Sequence, residues 1–332
     1  MDAPVYTPAA AKPRAPIGRG AFVHPAFWLA AAVLAVAMIL SAPLSQPAAI
    51  TLATVVMIGG GLPHGAFDIA LLRRTASLDR RALGLAVCGY AAIVGLMALL
   101  WIMAPLLALT LFLAVSAYHF GEDWPMLDVL QLRFAAGAAV IAAAAIGHPT
   151  SVTALFVAMS DVRAAIVAKV IIAAAPVALL LTAVGIALAW RNGHRHWAGA
   201  MTVCLALLVL LPPVAGFALF FVFLHAPRHL AQSRIVLLDM SQSRWLATGA
   251  LVSAATLAGW WAQQSLVPRQ FDENWAAQAF QLLASVALPH LLLSRWLEKR
   301  LEQPGSILPQ PPHRAPHRAR YCQAGTQCRI SG

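Results

Sequence analysis

The chain has 332 residues, 61% of them hydrophobic and only 11% charged, with a formal net charge of +11. Water-soluble domains carry roughly 25% charged residues, so this composition excludes an ordinary soluble surface, as does a mean hydropathy of +0.75. The positive charge is spread through short loops between apolar runs, where it sets membrane topology, and forms no nucleic-acid-binding patch.

A bilayer-spanning helix takes about 20 apolar residues. On that length the sequence predicts ten spans, at 27–45, 49–72, 82–103, 106–124, 132–148, 164–190, 197–212, 213–232, 245–263 and 276–296. The first run is long and another follows at once, so it reads as a helix and not as a cleaved signal. The seventh is short and meets the eighth at Pro212-Pro213, so the count lies between eight and ten. The expected fold is an all-α, polytopic, integral membrane helical bundle. Cys88 and Cys204 fall inside apolar runs, where a thiol behaves as a small hydrophobe. Cys322 and Cys328 lie near the C-terminus without zinc-site spacing.

Loop charges orient the bundle. With the N-terminal tail inside, the inner face receives Lys12, Arg14, Arg19, Arg73, Arg74, Arg80, Arg81, Arg133, Arg191, Arg195, Arg234, Arg244, Arg295, Lys299 and Arg300. The outer face receives little beyond Arg163 and Arg269. Positive residues favour the cytoplasmic side, which predicts a multi-pass protein of the cell inner membrane with both termini cytoplasmic. The organisation read from composition is a polar tail at 1–25, a membrane-embedded domain at 26–298 and a Pro/Arg-rich tail at 299–332 that is expected to be disordered. His313 and His317 in that tail mimic a metal pair, but nothing near them completes a site.

Ionisable side chains inside a bilayer are costly and mark functional sites. Of eleven histidines, five lie in predicted spans away from the loops: His64 in GGGLPHGAFD, His119 in SAYHFGEDW, His225 and His229 in FLHAPRHL, and His290 in ALPHLLLSRW. His225 and His229, four apart, share one helix face. Helix directions set by the loop charges put all five in one layer toward the cytoplasmic end. A lone buried histidine is usually a satisfied core residue, whereas five on four helices can surround an ion.

Asp68 follows His64 by four residues and Glu122 follows His119 by three. Each could accept the second ring N–H of a ligating imidazole, or mark the membrane surface. The surface reading suits Glu122 and Asp123 better, because they sit nearer a helix end, while Asp68 fits either. Gly59, Gly60, Gly61 and Gly65 allow close helix approach, and Pro63 and Pro227 can open the backbone beside the histidines. Phe217 and Phe221 precede His225 by eight and four residues; they line an apolar tunnel or simply pack. Imidazole suits Fe, Cu, Zn and Ni alike, so ligand type leaves the metal open.

The motifs GLPHGAFD, YHFGEDW, HAPRH and LPHLLLSRW, in this order, resemble the Brp/Blh family of membrane β-carotene 15,15′-dioxygenases found beside microbial rhodopsins. The resemblance covers residues 50–298. It implies an Fe(II) enzyme that splits β-carotene at its central double bond with O₂, giving two molecules of all-trans-retinal, which a rhodopsin could receive. The family's iron histidines correspond to His64, His119, His225 and His229. His290 lies in a motif typical of the family, with its role open between extra ligand and outer support. Rival readings are a b-type cytochrome with histidine-ligated haem and a non-enzymatic transporter. A desaturase-type di-metal site needs more histidine boxes than the single HxxxH present.

Overall fold

The computed structural model describes residues 23–40, 46–76, 78–266 and 274–301, and those residues form helices and short connections without strands. Most of the expected N-terminal tail, Arg269, and the segment beyond 301 with His313 and His317 lie outside the described residues.

In chain order the α-helices are α1 Pro25–Ile39, α2 Gln46–Val56, α3 Asp68–Ala76, α4 Arg80–Met103, α5 Pro105–Gly121, α6 Leu130–Gly147, α7 Pro149–Met159, α8 Ala164–Arg191, α9 Arg195–Leu210, α10 Pro213–Phe220, α11 Ala226–Val236, α12 Gln242–Leu266 and α13 Trp275–Leu301. Proline opens α1, α5, α7 and α10, the one helical position where its missing N–H costs nothing. Asp79 caps α4, its Oδ1 accepting the Ala82 N–H at 2.7 Å, which supplies one of the partners a helix start lacks.

Each of the ten apolar segments contains helix among its described residues. Among the described residues, six helices are long and apolar enough to cross a membrane: Pro47–Ala76, Arg80–Met103, Leu130–Gly147, Ala164–Arg191, Pro213–Val236 and Trp275–Leu297. This is a membrane protein. The break at Leu211-Pro212 separates α9 from α10. One helix was not expected: α7, with 11 residues, is about 16 Å long at 1.5 Å per residue, too short to cross and hidden between two longer runs.

Two helices are interrupted by wider turns. A π-helical turn occupies Met57–Gly61 and passes into a 3₁₀ turn at Leu62–Gly65 before α3. A second π-helical turn, Phe221–His225, joins α10 to α11. Each ends two residues before a proline, Pro63 or Pro227. Proline lacks the N–H that a regular helix sends back four residues, and a widened turn absorbs that mismatch; such turns gather at functional sites.

The core centres on α6, whose buried face is almost entirely alanine and glycine. Small residues let backbones meet directly. A Cβ built on Gly137 would stand 1.9 Å from the Ala117 carbonyl oxygen of α5, and one on Gly147 would stand 2.1 Å from the Val209 oxygen of α9. A smaller cluster, Ala66, Phe67, Leu71 and Leu237, seats α12 through Trp245, whose ring stacks on Phe67 at 3.7 Å.

Candidate functional site

The five intramembrane histidines meet. His64 comes from the 3₁₀ turn, His119 from the last turn of α5, His225 from the end of the second π turn, His229 from α11 and His290 from α13. Ring centroids run in a closed circuit: His64–His225 5.4 Å, His225–His119 4.8 Å, His119–His290 5.3 Å and His290–His64 4.9 Å. His229 caps it, 4.5 Å from His225, 5.0 Å from His119, 5.5 Å from His290 and 5.8 Å from His64. Rings sharing one ion at the roughly 2.0–2.1 Å of a zinc–imidazole bond have centroids roughly 4.5–6.5 Å apart, depending on the angle between them. The donor nitrogens of His64, His119 and His225 lie within 4.8 Å of one another.

The second nitrogen of most rings is already engaged. His64 Nδ1 donates to the Gly61 carbonyl. His119 Nδ1 donates to Glu122 Oε2 at 2.9 Å, His225 Nδ1 to Asp123 Oδ2 at 2.8 Å and His290 Nδ1 to Asp68 Oδ2 at 2.9 Å. Carbonyls and carboxylates only accept, so these bonds put the proton on Nδ1 and leave Nε2 with a lone pair. The Nε2 atoms of His119, His225, His229 and His290 are buried with no hydrogen-bond partner. Buried polar atoms are almost always paired, and converging lone pairs repel unless a cation sits among them. The donor set and its bare nitrogens therefore fit a metal ion. Asp123 with His225 and His229 forms a second possible donor group. In it the carboxylate already holds the His225 Nδ1 proton, which makes Asp123 an orienting partner of the ring.

The carboxylates differ from expectation. Asp68 pairs with His290 and not with its sequence neighbour His64, because the 3₁₀ turn breaks the helical spacing between positions 64 and 68. Asp123 is no surface marker: it is 1% exposed and reaches His225 from beyond the end of α5. There the chain folds back on itself through bonds from Glu122 N–H to His119 O at 3.0 Å and Asp123 N–H to Phe120 O at 3.3 Å. That turn aims both carboxylates at the cluster. Arg228 donates to the Asp123 carbonyl and lies 5.4 Å over the Trp197 ring. Arg295 reaches Glu122 Oε1 at 3.4 Å.

An apolar cavity lies deeper along α5 and α10, lined by Phe112, Ser116, Phe120, Phe217 and Phe280 among others. Phe217 lines it and Phe221 does not. Phe221 stands between cavity and histidines, stacked on Phe217 at 5.4 Å and on His225 at 5.6 Å, and edge-on to His64 at 5.2 Å. Gly61 makes room for it, since a Cβ there would meet the Phe221 ring at 2.1 Å. Gly60 likewise faces Val222, whereas Gly59 has nothing within 4 Å.

A family model described as β-carotene 15,15′-dioxygenase matches residues 53–298. A probable β-carotene 15,15′-dioxygenase, Blh, of Halobacterium salinarum is 28% identical over 346 residues, covering 88% of this chain and 96% of the relative. The β-carotene 15,15′-dioxygenase of the uncultured marine bacterium 66A03 is 27% identical over 255 residues, covering 73% and 90% respectively. No solved structure matches the chain. The matched segment contains every histidine of the cluster and its three carboxylate partners, and the chain belongs to the β-carotene 15,15′-dioxygenase family of oxidoreductases.

Proposed function

We propose that the protein is an Fe(II)-dependent dioxygenase that cleaves β-carotene at its central 15,15′ double bond, yielding two molecules of all-trans-retinal. The observation that carries this reading is the convergence of buried, unpartnered Nε2 atoms beside an apolar cavity in a chain of this family. In the overall change the central C=C and the O=O bonds break and two C=O bonds form. Both oxygen atoms reside in the two aldehydes, so no outside reductant is consumed.

In this reading His64, His119, His225 and His229 hold the iron, whose contribution is to activate O₂ for reaction with the polyene. The chain's own residues do the rest. Glu122 and Asp123 keep His119 and His225 turned with Nε2 inward. Phe112, Phe120, Phe217 and Phe280 give an apolar wall that excludes water and receives one arm of the polyene. Phe221 covers the boundary, so the bond to be cut has to be presented past its ring. A carotenoid dissolved in the bilayer enters from lipid, and the retinal formed leaves the same way to a rhodopsin. Both termini on the cytoplasmic face of a cell inner membrane, with tails at 1–25 and 299–332 outside the catalytic domain, complete the reading.

Haem is disfavoured. A porphyrin between two axial imidazoles needs the surrounding plane, and three further rings within 5.8 Å occupy it.

Expression in carotene-producing cells followed by pigment chromatography tests the reaction. The expected result is loss of β-carotene with accumulation of retinal; intact carotene beside folded, iron-loaded protein overturns it, and long apocarotenals move the cut off centre. Among the orienting carboxylates, Asp123→Asn is expected to cost about 10–100-fold in metal affinity or activity. Glu122→Gln is expected to cost less, because the Glu122 side chain is 18% exposed against 2% for Asp123 and water can replace part of its role. Chelator competition on the purified variants measures the difference.

A further inference from the structure

His290 is outside the four-histidine set, yet it has every feature of the others. Its ring lies 4.9 Å from His64, 5.3 Å from His119 and 5.5 Å from His229. It is 6% exposed. Its Nε2 is buried and without a partner. A supporting role would require Nε2 to hydrogen-bond a neighbouring ring, but two of the rings it faces, His119 and His229, also present bare Nε2 atoms. With Nδ1 donating to Asp68, the Nε2 of neutral His290 can only accept. Only a cation gives that nitrogen a partner.

His290 has a support of its own, built from Asp68 and Tyr90. Asp68 is 3% exposed, and its Oδ1 and Oδ2 lie 3.0 and 2.9 Å from His290 Nδ1. Tyr90, from the middle of α4, donates its hydroxyl to Asp68 Oδ2 at 2.8 Å. The helix that carries it is mostly turned outward, so this phenol is a polar group sent inward from an apolar, lipid-type surface. A Cβ on Gly65 would stand 3.5 Å from His290 Nδ1 and 3.9 Å from Asp68 Oδ2, so the pair fits closely against the turn that bears His64.

We infer that His290 is a fifth nitrogen donor of the metal centre, and that Tyr90 is a positioning residue acting on it through Asp68. The inference rests on the metal reading above. It extends the donor set to a third stretch of helix, α13, beside α5, the π turn that runs into α11, and the 3₁₀ turn, and ties α4, which contributes no histidine, to the centre.

Cobalt(II) tests it, because its visible bands respond to each donor. Full-length purified protein and the variants His290→Ala, Asp68→Asn, Tyr90→Phe and His64→Ala are loaded with cobalt(II), their spectra recorded, and the metal competed off with a chelator. His290→Ala is expected to shift the bands and to weaken retention by at least the roughly 10–100-fold that losing an outer partner costs. Tyr90→Phe is expected to shift the bands in the same sense with a loss of a few-fold, roughly below the Asp68→Asn effect. Added imidazole should restore the wild-type spectrum to His290→Gly. Unchanged spectrum and retention in His290→Ala, with loss in His64→Ala, overturns the fifth donor and leaves the four-histidine centre standing. Unchanged behaviour in both overturns the centre itself. Should the His290 variants fail to fold, Tyr90→Phe decides, since it removes one hydroxyl: a shifted spectrum supports the relay and an identical one overturns it.

Discussion

Replacing His225 by alanine is expected to abolish retinal formation and to lower bound iron below detection, the largest effect of any single substitution in the chain. His225 is 0% exposed and lies between His64 and His119 in the ring circuit, so its loss opens the centre of the donor set. It also strands Asp123, whose Oδ2 accepts its Nδ1 proton at 2.8 Å and which is itself buried. Leaving a buried acceptor without its partner costs about 1–3 kcal/mol, and more for a charged one. His64→Ala, His119→Ala and His229→Ala are expected to lose turnover as well, with different side effects. His119→Ala frees a partly exposed Glu122 that Arg295 still reaches, so it should remain the best folded. Detergent-purified variants, checked for monodispersity and then assayed for iron and for retinal, separate loss of metal from loss of fold. Full activity in any one of the four removes that residue from the site.

How much of this site was legible depends on whether a signal is local. Each histidine stood out alone, because an ionisable side chain inside an apolar run is conspicuous without any neighbour. The i, i+4 pairing of His225 and His229 was also legible: α11 is a regular helix from Ala226, and the rings lie 4.5 Å apart. The same spacing misled at His64 and Asp68. It presumes a continuous α-helix, and the π and 3₁₀ turns at 57–65 rotate the two residues out of register. Asp68 is then taken by His290, 222 residues away, a pairing no local pattern encodes. Asp123 was hidden for a related reason. A carboxylate just past a helix end looks like a surface group until the chain is seen to fold back. The carboxylates three and four residues after His119, in HFGED, were the available signal. Tyr90 carried none, being a lone tyrosine in an apolar helix. The helices themselves were legible from hydropathy, whereas α7 was not, because its length falls below what a spanning window detects.

Gly137→Ala is expected to reduce activity by about 100-fold or more, though Gly137 touches no histidine. Its added Cβ would stand 1.9 Å from the Ala117 carbonyl oxygen, 2.5 Å from the Gly121 nitrogen and 2.9 Å from the Ala117 carbonyl carbon. All three are backbone atoms, so no side-chain rotamer can relieve the contact. Gly121 meets α6 the same way, its own Cβ falling 2.5 Å from the Arg133 oxygen. Two glycines thus let α5 and α6 cross at backbone distance. To regain ordinary contact α5 must retreat by roughly 1.5 Å, the kind of shift overpacking forces at about 1–3 kcal/mol. That shift falls on the last turn of α5, which carries His119, and on the turn after it, which carries Glu122 and Asp123. A misplacement of about 1 Å at a reacting centre can cost about 100-fold, and here a donor and two orienting carboxylates move together. Gly59→Ala is the control: it lies in the glycine run before His64, yet nothing approaches its Cβ within 4 Å, so activity should hold. Retinal assays on both variants, with iron content and thermal inactivation measured alongside, check the contrast. Wild-type activity and stability in Gly137→Ala would show that α5 does not hold His119 by backbone contact with α6.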